Sequence, residues 1–201
     1  MDYRQFIYKP GKTINLKNFE QDFAASSASA EYDEARSREA LREHTESIAK
    51  YQDILMAHEQ YGLLVIFQGM DGAGKDSMIK HVMSSLDPQG AEMTMFKAPT
   101  EKEFKHDFLW RAAQSVPARG QVGVFNRSYY EQVVAERVRP EKLEKYNFPD
   151  EVLGRELWKK RYRHINNFEQ YLLDESIEPF ECQCGSENCR KLVFGMKGNA
   201  N

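Results

Sequence analysis

The stretch that most constrains this chain is Leu63 to Lys75, LLVIFQGMDGAGK, where a continuous apolar run passes directly into a glycine-rich turn. An apolar run without alternation suits a strand covered on both faces, as in a parallel sheet. Gly69-Met70-Asp71-Gly72-Ala73-Gly74-Lys75 has the spacing G-x-x-x-x-G-K, and an amphipathic helical pattern follows it from Gly74 to about Leu86. Strand, loop and helix in that order are the context a phosphate-binding loop requires. Glycines let successive backbone N–H groups point into one concavity, the helix N-terminus adds partial positive charge, and Lys75 supplies a full charge. The bland alternative is a strand-to-helix turn whose glycines serve tight geometry alone. The combination of strand, spacing and lysine favours the phosphate reading.

Two carboxylates stand where phosphates would lie. Asp76 occupies the place after the lysine that usually holds a magnesium-binding Ser or Thr, with Ser77 one residue later, which makes an ordinary ATPase a poorer fit. Asp71 lies inside the loop, where it would repel bound phosphates unless a metal ion or a reacting group intervened. Its expected roles are to hold magnesium or to align and activate an incoming phosphate nucleophile, against the plainer role of a helix cap.

Downstream, Ala91–Phe96 and Val122–Phe125 read as further strands, and Glu101–Ser115 and Ser128–Val138 as helices. Strand and helix alternate, which implies an α/β fold with a parallel sheet and right-handed crossovers. Upstream, Leu41, Ile48, Tyr51 and Leu55 recur at helical spacing within Glu31–Tyr61, predicting an amphipathic helix packed on the sheet. A last helical pattern begins at Pro149 and Asp150 and runs to Leu173. The expected divisions are an N-terminal arm and helix start over residues 1–45, a phosphate-loop domain over 46–174, and a tail of unrelated character over 175–201.

Lys97 and Arg127 follow the ends of the second and third strands, the edge on which α/β folds bind ligands. The guanidinium of Arg127 offers forked donors to phosphate oxygens, although it could instead only pair with Glu131; Lys97 could equally be solvated. The five histidines form no ligand-like cluster, so direct in-line transfer is expected rather than a phosphohistidine intermediate.

With 28 basic and 31 acidic residues in 201, the net charge of −3 gives no global argument for nucleic acid or an anionic membrane. No stretch approaches the roughly 20 apolar residues of a membrane span, and a cytoplasmic protein is expected.

GMDGAGKDSMIKHVM, FKAPT (Phe96–Thr100), HDFLWR (His106–Arg111) and FNRSYYE (Phe125–Glu131), in that order and spacing, resemble the polyphosphate kinase 2 family. The likeness covers roughly Tyr51 to Leu173. It implies a three-layer α/β/α P-loop kinase-like fold, dependence on Mg2+, and reversible transfer of a terminal phosphate between inorganic polyphosphate and AMP, ADP, GMP or GDP, in a homo-oligomer. Carried onto matching positions, Asp71, Lys75 and Arg127 are the catalytic candidates. Gly69, Met70, Gly72, Ala73, Gly74, Asp76, Lys97 and Asn126 are the phosphate- or nucleotide-binding ones. Asp107 is a second candidate for magnesium or a structural ion pair. The alternatives are an ATP-dependent nucleotide kinase and a noncatalytic phosphate-binding fragment.

After INNFEQYLLDES the sequence departs from the family, and the expectation is a fold incomplete at its C-terminus, without the basic lid. The spacing Cys182, Cys184, Cys189 resembles the zinc-binding post-SET segment of SET-domain methyltransferases, which implies Zn2+ if a fourth ligand is supplied. Free thiols are the plain alternative.

Overall fold

The computed structural model describes residues 34–176, 180–181 and 192–193. Contacts divide the chain into two compact units, one bounded by Met1–Ser47 with Phe180–Val193 and the other by Ile48–Pro179 with Phe194–Asn201. In the smaller unit the described residues are the start of helix α1 (Glu34–His58) and an antiparallel pairing of β4 (Phe180–Glu181) with β5 (Leu192–Val193). Arg42 pairs there with Glu39 and Glu46, one turn away on either side.

The larger unit is built on three parallel strands, β1 (Leu63–Phe67), β2 (Ala91–Met95) and β3 (Val122–Asn126), in the order β1-β3-β2. All five residues of β3 are buried, as its sequence VGVFN and its central place demand. Because successive side chains leave a strand on opposite faces, the sheet sorts its apolar residues into two cores. Val122 and Val124, with Val65 and Phe67, meet Ile79 of helix α2 (Lys75–Met83), Leu86, and Leu55 of α1. Phe125, with Leu64 and Ile66, meets Phe96, Ala112 of helix α4 (Trp110–Ala113), Val133 of helix α5 (Glu131–Val138) and Ile165 of helix α6 (Arg155–Ser176). Helices therefore cover both faces, as the three-layer α/β/α expectation requires.

Gly123 sits in the middle of β3, where an added Cβ would lie 2.8 Å from Cδ and 2.9 Å from Cγ of Pro117. Gly123→Ala is expected to destabilise the fold by about 1–3 kcal/mol through overpacking, read as a lowered denaturant midpoint.

Three sequence expectations are corrected. The stretch Glu101–Ser115 is two short helices, α3 (Glu101–Phe104) and α4, rather than one. A capping box between Thr100 and Glu103 starts α3, but the Asp107 carboxylate then accepts the Leu109 N–H at 3.0 Å, a local side-chain bond that competes with helix continuation. Next, of the four apolar residues expected to pack α1 on the sheet only Leu55 joins the core: Leu41 and Ile48 are exposed and Tyr51 is 72% exposed, whereas Gln52 is 3% exposed. The Gln52 amide accepts the Asp87 N–H at 2.7 Å and donates to the Asp87 carbonyl at 2.9 Å, so a polar residue fastens this helix to the turn after α2. Finally, the pattern from Pro149 is broken at Gly154 (φ 131°), with a 3₁₀ turn at Asp150–Val152 before it and α6 after it. A further 3₁₀ segment, Pro140–Tyr146, has no counterpart in the sequence reading.

Candidate functional site

The glycine loop leaves the carboxyl end of β1 and enters α2 through Gly72 and Gly74, both at left-handed φ (81° and 78°). A residue with a Cβ would be strained at either point, and this accounts for the glycines at those two places. α2 begins at Lys75, whose side chain is only 10% exposed while its Nζ lies 3.0 Å from Oδ1 of Asp76.

The end of β3 arrives beside this loop because β1 and β3 are parallel neighbours in register, Phe67 opposite Asn126. The Asn126 amide donates to Asp76 Oδ1 at 2.8 Å. That bond first, and the Lys75 ammonium second, holds the Asp76 carboxyl below the usual carboxylate range, so it is charged at neutral pH. Arg127 follows with φ 63°, the left-handed region, tied by its N–H to the Phe67 carbonyl at 2.9 Å. Backbone strain of this kind in a non-glycine residue gathers at functional sites. Its guanidinium pairs with Asp71 across the loop and reaches Glu131 Oε2 at 3.4 Å. Gln68 Nε2 donates to Glu131 Oε1 at 2.7 Å, and Ser128 Oγ donates to Gln68 Oε1 at 3.1 Å. The FNRSYYE segment is held from its other side by Glu169 of α6, which accepts both the Tyr129 and Tyr130 hydroxyls at 2.8 and 2.6 Å.

Part of this group lines one end of a cleft of roughly 480 Å³, whereas Gln68, Ser128, Tyr129, Tyr130 and Glu169 do not line it. Asp71, Lys75, Asp76, Lys97, Asn126 and Arg127 all face it. Arg111, quoted in the sequence motif without a role, lines it too: it donates to the Lys97 carbonyl at 2.8 Å and lies over the Phe96 ring at 5.1 Å, fixing the chain after β2. The far end is lined by Phe104, Gln132, Glu136, Lys142 and Lys145. Lys142 and Lys145 had no signal in apolar spacing, but residues three apart on a 3₁₀ helix share a face. Asp107, by contrast, does not line the cleft and spends its carboxylate on the Leu109 N–H.

A family model for polyphosphate kinase 2 matches residues 31–181. The chain belongs to the polyphosphate kinase 2 family. An ADP-polyphosphate phosphotransferase of Rhodopseudomonas palustris is 47% identical over 135 residues, which are 67% of this chain and 47% of that protein. An AMP/ADP-polyphosphate phosphotransferase of Meiothermus ruber is 35% identical over 172 residues, 86% of this chain and 59% of the relative. The solved polyphosphate kinase 2 of Arthrobacter aurescens overlays with a TM-score of 0.68 at 36% identity, covering 81% of this chain and 54% of that one. The chain thus spans about half the length of the polyphosphate kinase 2 relatives it matches.

The family match stops before Cys182, Cys184 and Cys189, which lie outside the described residues; the likeness to a post-SET segment has no support in these comparisons. Among the described residues no group of three or more His, Cys, Asp and Glu side chains is placed to hold a metal on its own, and no helix is long and apolar enough to cross a membrane.

Proposed function

We propose that this chain carries the core of a phosphotransferase that moves a terminal phosphate between inorganic polyphosphate and a nucleoside mono- or diphosphate. The observation that carries the reading is the convergence of Lys75, Arg127, the loop carboxylate of Asp71 and the helix carboxylate of Asp76 on one end of a single cleft. Phosphoryl transfer asks a protein mainly for alignment and charge compensation, and both are supplied by groups of this kind. The names of the two curated relatives, one ADP- and one AMP/ADP-specific in wording, supply the substrate class.

In this reading the loop N–H groups and Lys75 grip the phosphate being transferred, and Arg127 neutralises charge that develops on its oxygens. Asp71 aligns the attacking phosphate of the acceptor once substrate has drawn Arg127 away from it. Gly69, Met70, Gly72, Ala73 and Gly74 furnish the loop backbone, while Asp76 and Asn126 fix the position of Lys75. The phosphate end suits magnesium, since a Mg2+ ion is held by one or two carboxylates together with substrate phosphates, and Asp71 and Asp76 offer two carboxylates to the same cleft. Bound there, the ion would offset phosphate charge.

The nucleoside part of the acceptor is assigned to the far end. Phe104 provides an aromatic face there, and Lys142 and Lys145 can hold the acceptor's phosphates from outside.

Purified chain is expected to form ATP from ADP, or ADP from AMP, with polyphosphate and magnesium, and to do so poorly with ATP as the donor. Asp71→Asn, which keeps the shape and removes the charge, is expected to lower kcat by about 10²-fold or more with KM for polyphosphate little changed. Transfer from ATP but not from polyphosphate would sink the reading in favour of an ordinary nucleotide kinase. A folded sample that binds phosphate without turnover would leave a phosphate-binding core.

A further inference from the structure

Arg161 is a charged residue in the second turn of α6 and yet is buried, its side chain 3% exposed. It lies among four aromatic rings, with Phe108, Tyr146, Trp158 and Phe148 centred 5.2, 5.4, 5.5 and 5.8 Å from its guanidinium carbon. Its Nη1 donates to the Glu136 carboxylate at 2.7 Å and to the Gln132 carbonyl at 2.7 Å. The other oxygen of Glu136 accepts the Tyr146 hydroxyl at 2.6 Å. Burial, and then this bond, pushes the Tyr146 phenol up, so it is a proton donor at any working pH.

A buried ion pair of this sort is a poor device for stability, because well-packed apolar side chains would do as well or better. What it adds is a directed connection. Arg161 does not line the cleft, but Glu136 does, and Tyr146 is the last residue of the 3₁₀ segment that brings Lys142 and Lys145 to the same cleft. The segment's other fixings are aromatic: Tyr146 packs edge-on against Phe104 at 4.8 Å and stacks on Phe148 at 5.1 Å, Lys145 Nζ lies 6.0 Å from the centre of the Phe104 ring, and the chain turns away at Asn147 in the left-handed region. A short 3₁₀ segment has weak hydrogen-bond geometry of its own, so a side-chain anchor decides where its lysines stand.

We propose that Arg161 is a positioning residue for the acceptor nucleotide, acting through Glu136 and Tyr146 to hold Lys142 and Lys145 at the nucleoside end of the cleft. This rests on the phosphotransferase reading above. The pair carries no transferred group and touches no reacting atom. It selects one placement of the segment, so its loss weakens capture of the nucleotide while leaving the phosphate loop intact.

Three variants of the full chain test this. Tyr146→Phe removes only the hydroxyl, Arg161→Lys keeps the charge without the fork, and Arg161→Met fills the aromatic cage without charge. Arg161→Met and Tyr146→Phe are expected to raise KM for ADP about five- to tenfold with KM for polyphosphate unchanged and kcat within about threefold. Arg161→Lys should recover part of the loss. Hydrogen exchange of the amides in residues 141–147 should quicken in the same order, with those of α2 unaltered. A purely structural role would move exchange and melting temperature with KM for ADP unchanged, and that result overturns the proposal, as does unchanged exchange in residues 141–147. If the parental chain transfers no phosphate, the functional reading fails, and the calorimetric Kd for ADP replaces KM: weakening in the variants supports the positioning role, and equal affinity overturns it. A parental chain that binds no ADP overturns both.

Discussion

Lys75→Ala is expected to lower the rate of transfer from polyphosphate by at least about a hundredfold while leaving the melting temperature unchanged within a few degrees or slightly raised. The two halves of that expectation come from different physics. Lys75 is the first residue of α2, where a positive side chain opposes the partial positive charge of the helix N-terminus. Its partner Asp76 is 79% exposed, and a pair open to solvent on one side contributes at most about 1 kcal/mol. Alanine is the better helix former, so stability has little to lose. A lysine placed against its own helix dipole, with its stem covered and its ammonium facing a cleft, is there for an anion. Coupled measurement of ATP formation beside a thermal melt separates the effects, and undiminished transfer in a folded Lys75→Ala sample would remove Lys75 from the proposed chemistry.

How far the sequence could be read depended on what kind of force places each residue. β3 was legible because burial on both faces leaves no place for a charged residue, β1 because its run LLVIF is apolar throughout although the strand is only half-buried at the sheet edge, and the loop because left-handed backbone at Gly72 and Gly74 admits few other residues. Asn126 and Arg127 came with β3, since parallel register with β1 carries the strand's end to the loop without further instruction. What escaped was placed by polar side chains. Gln52 rather than Tyr51 fastens α1, and nothing in apolar spacing distinguishes a helix's buried amide from an exposed one. The break between α3 and α4 is made by one carboxylate bonding one N–H, a contact within a stretch whose composition still reads as helical. Arg161 looks like part of the solvated face of a helix, and the rings of Phe108, Tyr146 and Phe148, which lie outside that helix, turn it inward together with Trp158 one turn away.

Phe125→Ala is expected to be the most damaging single change to the fold, costing about 3–5 kcal/mol. Phe125 is fully buried in the central strand and meets Phe96 edge-on, with ring centroids 4.8 Å apart at 69°. The ring also joins Ile165, Val133 and Ala112, so its removal leaves a void bounded by three helices and the sheet that none of them can close alone. Domains are stable by only about 5–15 kcal/mol, so the loss is a large share of the total, and for a chain of this size it corresponds to a drop in melting temperature on the order of 10 °C. Phe125→Leu, which refills most of the volume, should cost only about 1–2 kcal/mol. The chemistry should suffer beyond the loss of folded molecules, because Phe96 precedes Lys97 and Phe125 precedes Asn126 and Arg127: one aromatic contact sets the spacing of both strand ends at the cleft. Measured well below its melting point, Phe125→Ala should therefore show a lower kcat than Phe125→Leu at equal folded fraction. Equal kcat in the two would mean that the strand ends are held by their polar bonds to the phosphate loop, and that the core beneath them sets stability alone.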